Sequence, residues 1–307
     1  MTRLRLALLA LPLLLGLAPA AAQPAPTYTR AEDVIYGRKF GTALTMDVFT
    51  PKAKANGAAV IWCVSGGWYS NHDSVNAGFA KPFLDRGYTV FAVVHGSQPR
   101  FSIPEVLDDM NRATRFIRAS ASKYGIDKDR IGISGASAGG HLSLMQGVSP
   151  RPGDPLSKDP VQQESSKVAA VACFFPPTDF LNYGKEGELA LGGGTLKGFK
   201  APFNFVELDP DSKAYVVITD EEKRRRIGKQ ISPAYHVKSD SAPALIIHGD
   251  KDTLVPIQQA EVMVAAYKKA GATAELVVKP GAAHGWGDFV KDFEKLADWF
   301  DTHLAKK

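Results

Sequence analysis

Three stretches of this 307-residue chain hold residue types that could together carry out nucleophilic catalysis. Gly135-Ala136-Ser137-Ala138-Gly139 is a G-x-S-x-G pattern, set between the apolar run Ile131-Gly132-Ile133 and a helical pattern. A serine hydroxyl projects freely from a sharp strand-to-helix turn, and glycines two residues to either side leave room for that turn. The hydroxyl is a poor nucleophile until a base accepts its proton. In the chain order Ser, Asp, His, the base follows the last strand and the acid an earlier one. His284, in Gly281-Ala282-Ala283-His284-Gly285-Trp286, is the candidate base. The acid is Asp250 or Asp252, both within His248-Gly249-Asp250-Lys251-Asp252. One of them must accept the Nδ1–H of the histidine and stabilise the imidazolium. Residue types leave the two level, since Asp250 directly follows a glycine and could cap the turn instead.

The third stretch is Ser65-Gly66-Gly67-Trp68, after the apolar run Ala58 to Val64. A tetrahedral oxyanion needs backbone N–H donors aimed at it, and glycines let the main chain come that close. Gly66, Gly67 and Ala138, the residue after the serine, are the expected donors. The remaining histidines carry no second motif. His141 lies one turn beyond Ser137 and is expected to pack beneath it; His303 falls on a solvated helix near the end of the chain. His72, His95, His236 and His248 read as loop or strand-end residues.

These stretches need strand ends to hold them, and the patterning supplies strands. Short apolar runs at Val34–Tyr36, Leu44–Phe49, Ala58–Val64, Tyr88–Val94, Arg130–Ser134, Val168–Phe174, Ala244–Ile247 and Glu275–Val278 predict eight strands. Several are nearly continuous in apolar residues, as strands buried on both faces are. Helical patterns fall at Asn76–Arg86, Pro104–Ser122, Ala138–Val148, Ile257–Ala270 and Asp288–Leu304. In the second, Val106, Leu107, Met110, Ala113, Thr114 and Ile117 form one stripe at spacings of three and four. Strands alternating with helices predict an α/β architecture, a mostly parallel sheet covered on both faces, with its site at the carboxyl ends of the strands. Residues 184–229 break the alternation with Gly192-Gly193-Gly194, scattered aromatics and a charged stretch; they are expected to form a cap over the site.

Composition excludes several classes. Apolar residues at 45% and charged residues at 22% describe a core-forming globular chain. Met1 to Arg5, the apolar run Leu6–Leu17 and the small residues Ala18 to Ala22 have the order of a secretory signal peptide, with cleavage expected after Ala22. The competing membrane-anchor reading suffers from a short run broken by Pro12 and Gly16. The expected mature chain, 23–307, is one domain, secreted or periplasmic and without a membrane span. Losing Arg3 and Arg5 lowers the formal charge from +5 to +3, which gives no basis for a nucleic-acid partner. The run Lys223-Arg224-Arg225-Arg226 reads as a solvated helix face, and Cys63 and Cys173 as two buried thiols on strands that are not neighbours. No cofactor or metal is expected.

From about Ala58 to Trp299 the chain resembles the α/β-hydrolase esterases of the hormone-sensitive-lipase and bifunctional acetylxylan/feruloyl esterase type. The likeness runs through Lys123-Tyr124-Gly125-Ile126-Asp127, Arg130-Ile131-Gly132, Gly135 to Leu142, and His248 to Asp252 with Val255-Pro256. It implies an α/β-hydrolase fold, a Ser137–Asp252–His284 triad with the second aspartate as acid, and ester cleavage through an acyl-enzyme. The family's His-Gly-Gly-Gly-Trp appears here as Val64-Ser65-Gly66-Gly67-Trp68, which keeps two glycines and leaves the loop's supporting hydrogen bonds open. The likeness does not carry substrate identity; acetyl or feruloyl esters of plant polysaccharide, or small esters, are the expected substrates. Amide cleavage by the same triad, and a catalytically silent binding protein of the same fold, are the alternatives.

Overall fold

The computed structural model describes residues 27–306. The leader, its cleavage point and the anchor alternative lie outside the described residues. Among those described, no helix is long and apolar enough to cross a membrane.

The central sheet has eight strands: β1 (Tyr28–Lys39), β2 (Thr42–Pro51), β3 (Ala59–Val64), β4 (Thr89–Val94), β5 (Ile131–Ala136), β6 (Ala170–Phe174), β9 (Ala244–Gly249) and β10 (Ala274–Lys279). Their spatial order is β1-β2-β4-β3-β5-β6-β9-β10. Only the β1–β2 and β2–β4 pairings are antiparallel; the rest are parallel. This is the mostly parallel eight-stranded sheet expected from the alternating pattern, in the α/β-hydrolase fold that the family likeness implies. Alternate residues of β3 serve opposite cores. Ala59, Ile61 and Cys63 face α2 (Ile103–Ala119), α3 (Ala138–Val148) and α6 (Gln258–Ala270), while Val60, Trp62 and Val64 face α1 (Ala77–Leu84) and α7 (Phe293–His303). A strand buried on both sides has no polar face to show, which is why these runs read as continuously apolar.

Local chemistry sets the helix starts that matter here. Glu105 reaches back to accept the N–H of Ser102 at 2.8 Å, half of a capping box that begins α2 beside the β4 strand end. β1 extends well past the expected Val34–Tyr36 because most of its residues are exposed on the sheet edge, so the apolar signal covers only its centre. The last helix begins later than expected: Phe289–Asp292 is a 3₁₀ turn and α7 starts at Phe293. Cys63 and Cys173 are buried and free, on β3 and β6 with β5 between them.

Residues 184–229 hold two 3₁₀ turns, the small hairpin β7 (Val206–Leu208) and β8 (Tyr215–Val217), and most of α5 (Glu221–Gln230); the short α4 (Pro160–Gln163) precedes them. Phe203 and Phe205 are buried. Phe203 meets Trp68 at 5.3 Å between ring centroids, so this segment packs on the loop that follows β3. The basic run is not uniformly solvated. Arg224 turns inward, donating to Leu191 O at 3.1 Å and lying over the Phe205 ring, because the chain's irregular path leaves carbonyls there to satisfy.

Candidate active site

Ser137 stands between β5 and α3 with φ 55° and ψ −118°, a backbone conformation that side chains rarely adopt. Its N–H donates to Phe174 O at 3.0 Å, which ties the turn to β6. The flanking glycines are required by contact. A Cβ on Gly135 would lie 2.5 Å from the Gly139 carbonyl carbon, and one on Gly139 would lie 2.9 Å from Cys63 O. The elbow is tight enough that its two ends touch.

His284 Nε2 lies 3.0 Å from Ser137 Oγ, and its Nδ1 lies 2.7 Å from Asp252 Oδ2. A carboxylate only accepts, so Nδ1 carries the proton and Nε2 offers its lone pair to the serine O–H. Asp252 is held on every side: Oδ1 accepts the N–H groups of Leu254 and Val255 at 2.9 and 2.8 Å. His248 Nε2 lies 3.4 Å from Oδ2. Burial pushes the Asp252 carboxyl up, but the bonds from His248, His284 and the Val255 N–H outweigh it and hold the group well below the usual carboxylate range. Asp250 neither faces His284 nor caps its own turn. Its Oδ1 accepts the Gly281 N–H at 2.7 Å, bracing the histidine loop from outside. The Phe175 ring lies 4.4 Å from the His284 ring, and Trp286 Nε1 donates to Asp292 at 2.7 Å, anchoring the far end of that loop.

The three expected oxyanion donors are not equivalent. The Gly66 N–H donates to Tyr69 O at 3.0 Å and is committed within its own turn. Gly66 therefore falls out as a free donor, because a four-residue turn closes on it. Gly67 (φ 54°) and Ala138, the first residue of α3, have no protein acceptor for their N–H groups among the described residues. The Phe199 ring occupies the space a Gly67 side chain would need, 2.5 Å from an ideal Cβ.

No sequence motif marks the residues that hold this loop. His95, just after β4, is buried; its Nδ1 donates to Gly96 O at 2.7 Å and its Nε2 accepts from Ser65 Oγ at 2.8 Å. His141 packs beneath Ser137 as expected, and also accepts from Trp68 Nε1 at 3.1 Å while donating to Ile231 O at 2.7 Å. Gln98 donates to Gly67 O at 3.1 Å. A usable signal existed: His95 follows a buried strand, as Ser137 and Asp252 do. His303 is half-buried against Trp299 rather than solvated, with ring centroids 4.1 Å apart. Away from this rim, Asp33, Asp47 and His72 offer ligand atoms within 4.8 Å of one another, but Arg30 already places its guanidinium 2.5 Å from Asp47.

A serine on a strand-to-helix elbow, a histidine and a carboxylate from two later strand ends, and a parallel sheet beneath them define the α/β-hydrolase class. Within it the chain belongs to the BD-FAE family, whose model matches residues 46–267. It is 28% identical over 243 residues to "Probable carboxylic ester hydrolase LipM" of Mycobacterium tuberculosis, covering 77% of this chain and 51% of that protein. It is 26% identical over 265 residues to "Acetylxylan esterase" of Xylanibacter ruminicola, covering 84% of this chain and 45% of that one. The chain thus spans about half the length of these relatives. A solved structure, "Truncated form of carbohydrate esterase from gut microbiota", superposes with a TM-score of 0.72 at 28% identity, covering 91% of this chain and 98% of that one.

Proposed function

We propose that this protein is a serine carboxylic-ester hydrolase working through Ser137, His284 and Asp252. The observation that carries the reading is the continuous contact from Ser137 Oγ through both nitrogens of His284 to Asp252, at 3.0 and 2.7 Å. Ser137 Oγ attacks the ester carbonyl while His284 Nε2 takes its proton. The oxyanion forms against the N–H groups of Gly67 and Ala138. Collapse expels the alcohol, which leaves with the proton from His284. A water then attacks the acyl-serine, passes its proton to His284, and releases the acid and the free serine. Asp252 stabilises the imidazolium at each stage without taking its proton.

Acetyl or feruloyl esters of polysaccharide, or small esters, are the proposed substrates, and relatives named for carbohydrate and acetylxylan esters support that class. The proposed site of action is outside the cytoplasm, after removal of residues 1–22, and residues 184–229 are the proposed cap. Two measurements test the reading. A fluorophosphonate probe should label wild-type protein and not Ser137→Ala, and a panel of p-nitrophenyl esters, acetylated xylan and methyl ferulate should show turnover lost in the same variant. Labelling that persists in Ser137→Ala, or turnover of p-nitroanilides with no ester cleaved, would sink it.

A further inference from the structure

A cleft of ≈ 680 Å³ lies apart from Ser137, bounded by the β1–β2 turn, the start of α2, α4 and the β7–β8 hairpin. Phe40 and Tyr215 stand at its rim, 58% and 59% exposed, with ring centroids 6.1 Å apart and planes at 89°. Phe40 also stacks on Phe101 at 6.3 Å. Its backbone holds φ +45° in the turn, a conformation costing a bulky residue on the order of 1 kcal/mol or more. The ring regains little of that by burial. The strain lies in the backbone, and the part of the ring beyond its Phe101 and Tyr215 contacts is free for a ligand.

Over the polar wall of the cleft, four cations (Arg38, Lys39, Arg112 and the adjoining Arg151) balance four carboxylates (Glu105, Asp108, Asp109 and Asp159). Asp159 pairs with Arg112, Asp109 with Lys39 at 2.6 Å, and Asp108 with Arg151 at 2.5 Å. Glu105 is engaged by the Ser102 N–H. Arg38 makes no ion pair among the described residues, but the wall as a whole carries no net charge and so favours neither a cation nor a phosphate, while its remaining lone pairs and N–H groups still bond hydroxyls. We propose that this cleft binds an uncharged oligosaccharide, with the C–H faces of its rings against Phe40 and Tyr215 and its hydroxyls on Arg112, Asp159 and Gln230. The wall is continuous with the loop beside Ser137, since Phe205 packs on Phe203 at 6.3 Å and Phe203 on Trp68 at 5.3 Å. The cleft would give an esterified polysaccharide a second hold on the enzyme, and in that sense it deepens the ester-hydrolase reading.

Isothermal titration of the wild-type chain, Phe40→Gly and Tyr215→Ala with xylohexaose and with cellohexaose tests this. Wild type should bind at least one of the two saturably, and each variant at least about tenfold more weakly. Phe40→Gly relieves the left-handed turn, so its melting temperature should hold. Tyr215 lies on a separate hairpin and carries the test if the first substitution disturbs the turn. No binding of either sugar by wild type, or undiminished affinity in the variants, overturns the proposal. Neither probe bears an ester, so these titrations are blind to turnover. Failure to cleave p-nitrophenyl acetate would count against the hydrolase reading alone.

Discussion

At Ser137 the chain accepts strain to hold a hydroxyl where chemistry can use it. A non-glycine residue at φ 55°, ψ −118° costs of order 1–3 kcal/mol, and glycine would carry little of that cost. Ser137→Gly is therefore expected to abolish turnover and raise stability by about 1 kcal/mol in urea denaturation; an unchanged or lower midpoint would contradict the strain argument. The two aspartates separate just as sharply. Asp252→Asn presents an amide to a histidine that needs an acceptor for Nδ1–H, and the expected loss in kcat is about 10⁴-fold. Asp250→Asn keeps an oxygen for the Gly281 N–H, so its kcat should stay within about threefold. Equal losses in the two variants would show the acid to be misassigned. Spacing could not separate them, because two residues of one turn differ only in which way the turn aims each side chain.

The proposed oxyanion loop shows how one element borrows its rigidity from others. Val64 and Ser65 replace the histidine and first glycine of the related motif, and the support comes from His95 at the end of β4. Ser65→Ala and His95→Ala are expected to lower kcat about tenfold to a hundredfold with KM little changed, since a misplaced donor is felt most in the transition state. Ser65→Thr retains the O–H donor and should recover most of the rate. A change in KM alone, or no rescue by threonine, would assign the pair a merely structural role. This contact links residues 30 apart, at the ends of the paired parallel strands β3 and β4 with α1 between them in sequence, so no local pattern announces it. Helix edges were similarly veiled: the 3₁₀ turn at Phe289–Asp292 looks like helix because its apolar spacing continues into α7.

Over the whole molecule, buried neutral histidines set an acid limit to stability. Burial pushes His95 and His141 down to about 4 from an ordinary 6.5, so each stays uncharged in the fold. Between those values the unfolded chain binds more protons than the folded one. Stability is therefore complete above about pH 6.5 and falls as pH drops toward 4, by about 1.4 kcal/mol per pH unit for each histidine at most. Asp109, raised to about 6 by burial despite Lys39 beside it, works the other way below pH 6 but is one group against two. Melting temperatures from pH 7 to 4.5 should decline, and His141→Asn should show a shallower decline; parallel curves would refute the neutral-histidine account. The sequence by itself determined the sheet, the helices that cover it and the serine–histidine pair, because hydrophobic period and glycine-flanked motifs are properties of neighbouring residues. Residue types left Asp250 and Asp252 level and only the family likeness favoured the second; tertiary structure shows Asp252 facing His284, and it alone decided that Gly66 spends its N–H on Tyr69 and that His95 bonds the loop. Those are matters of direction across space, and a chain's order records adjacency but not aim.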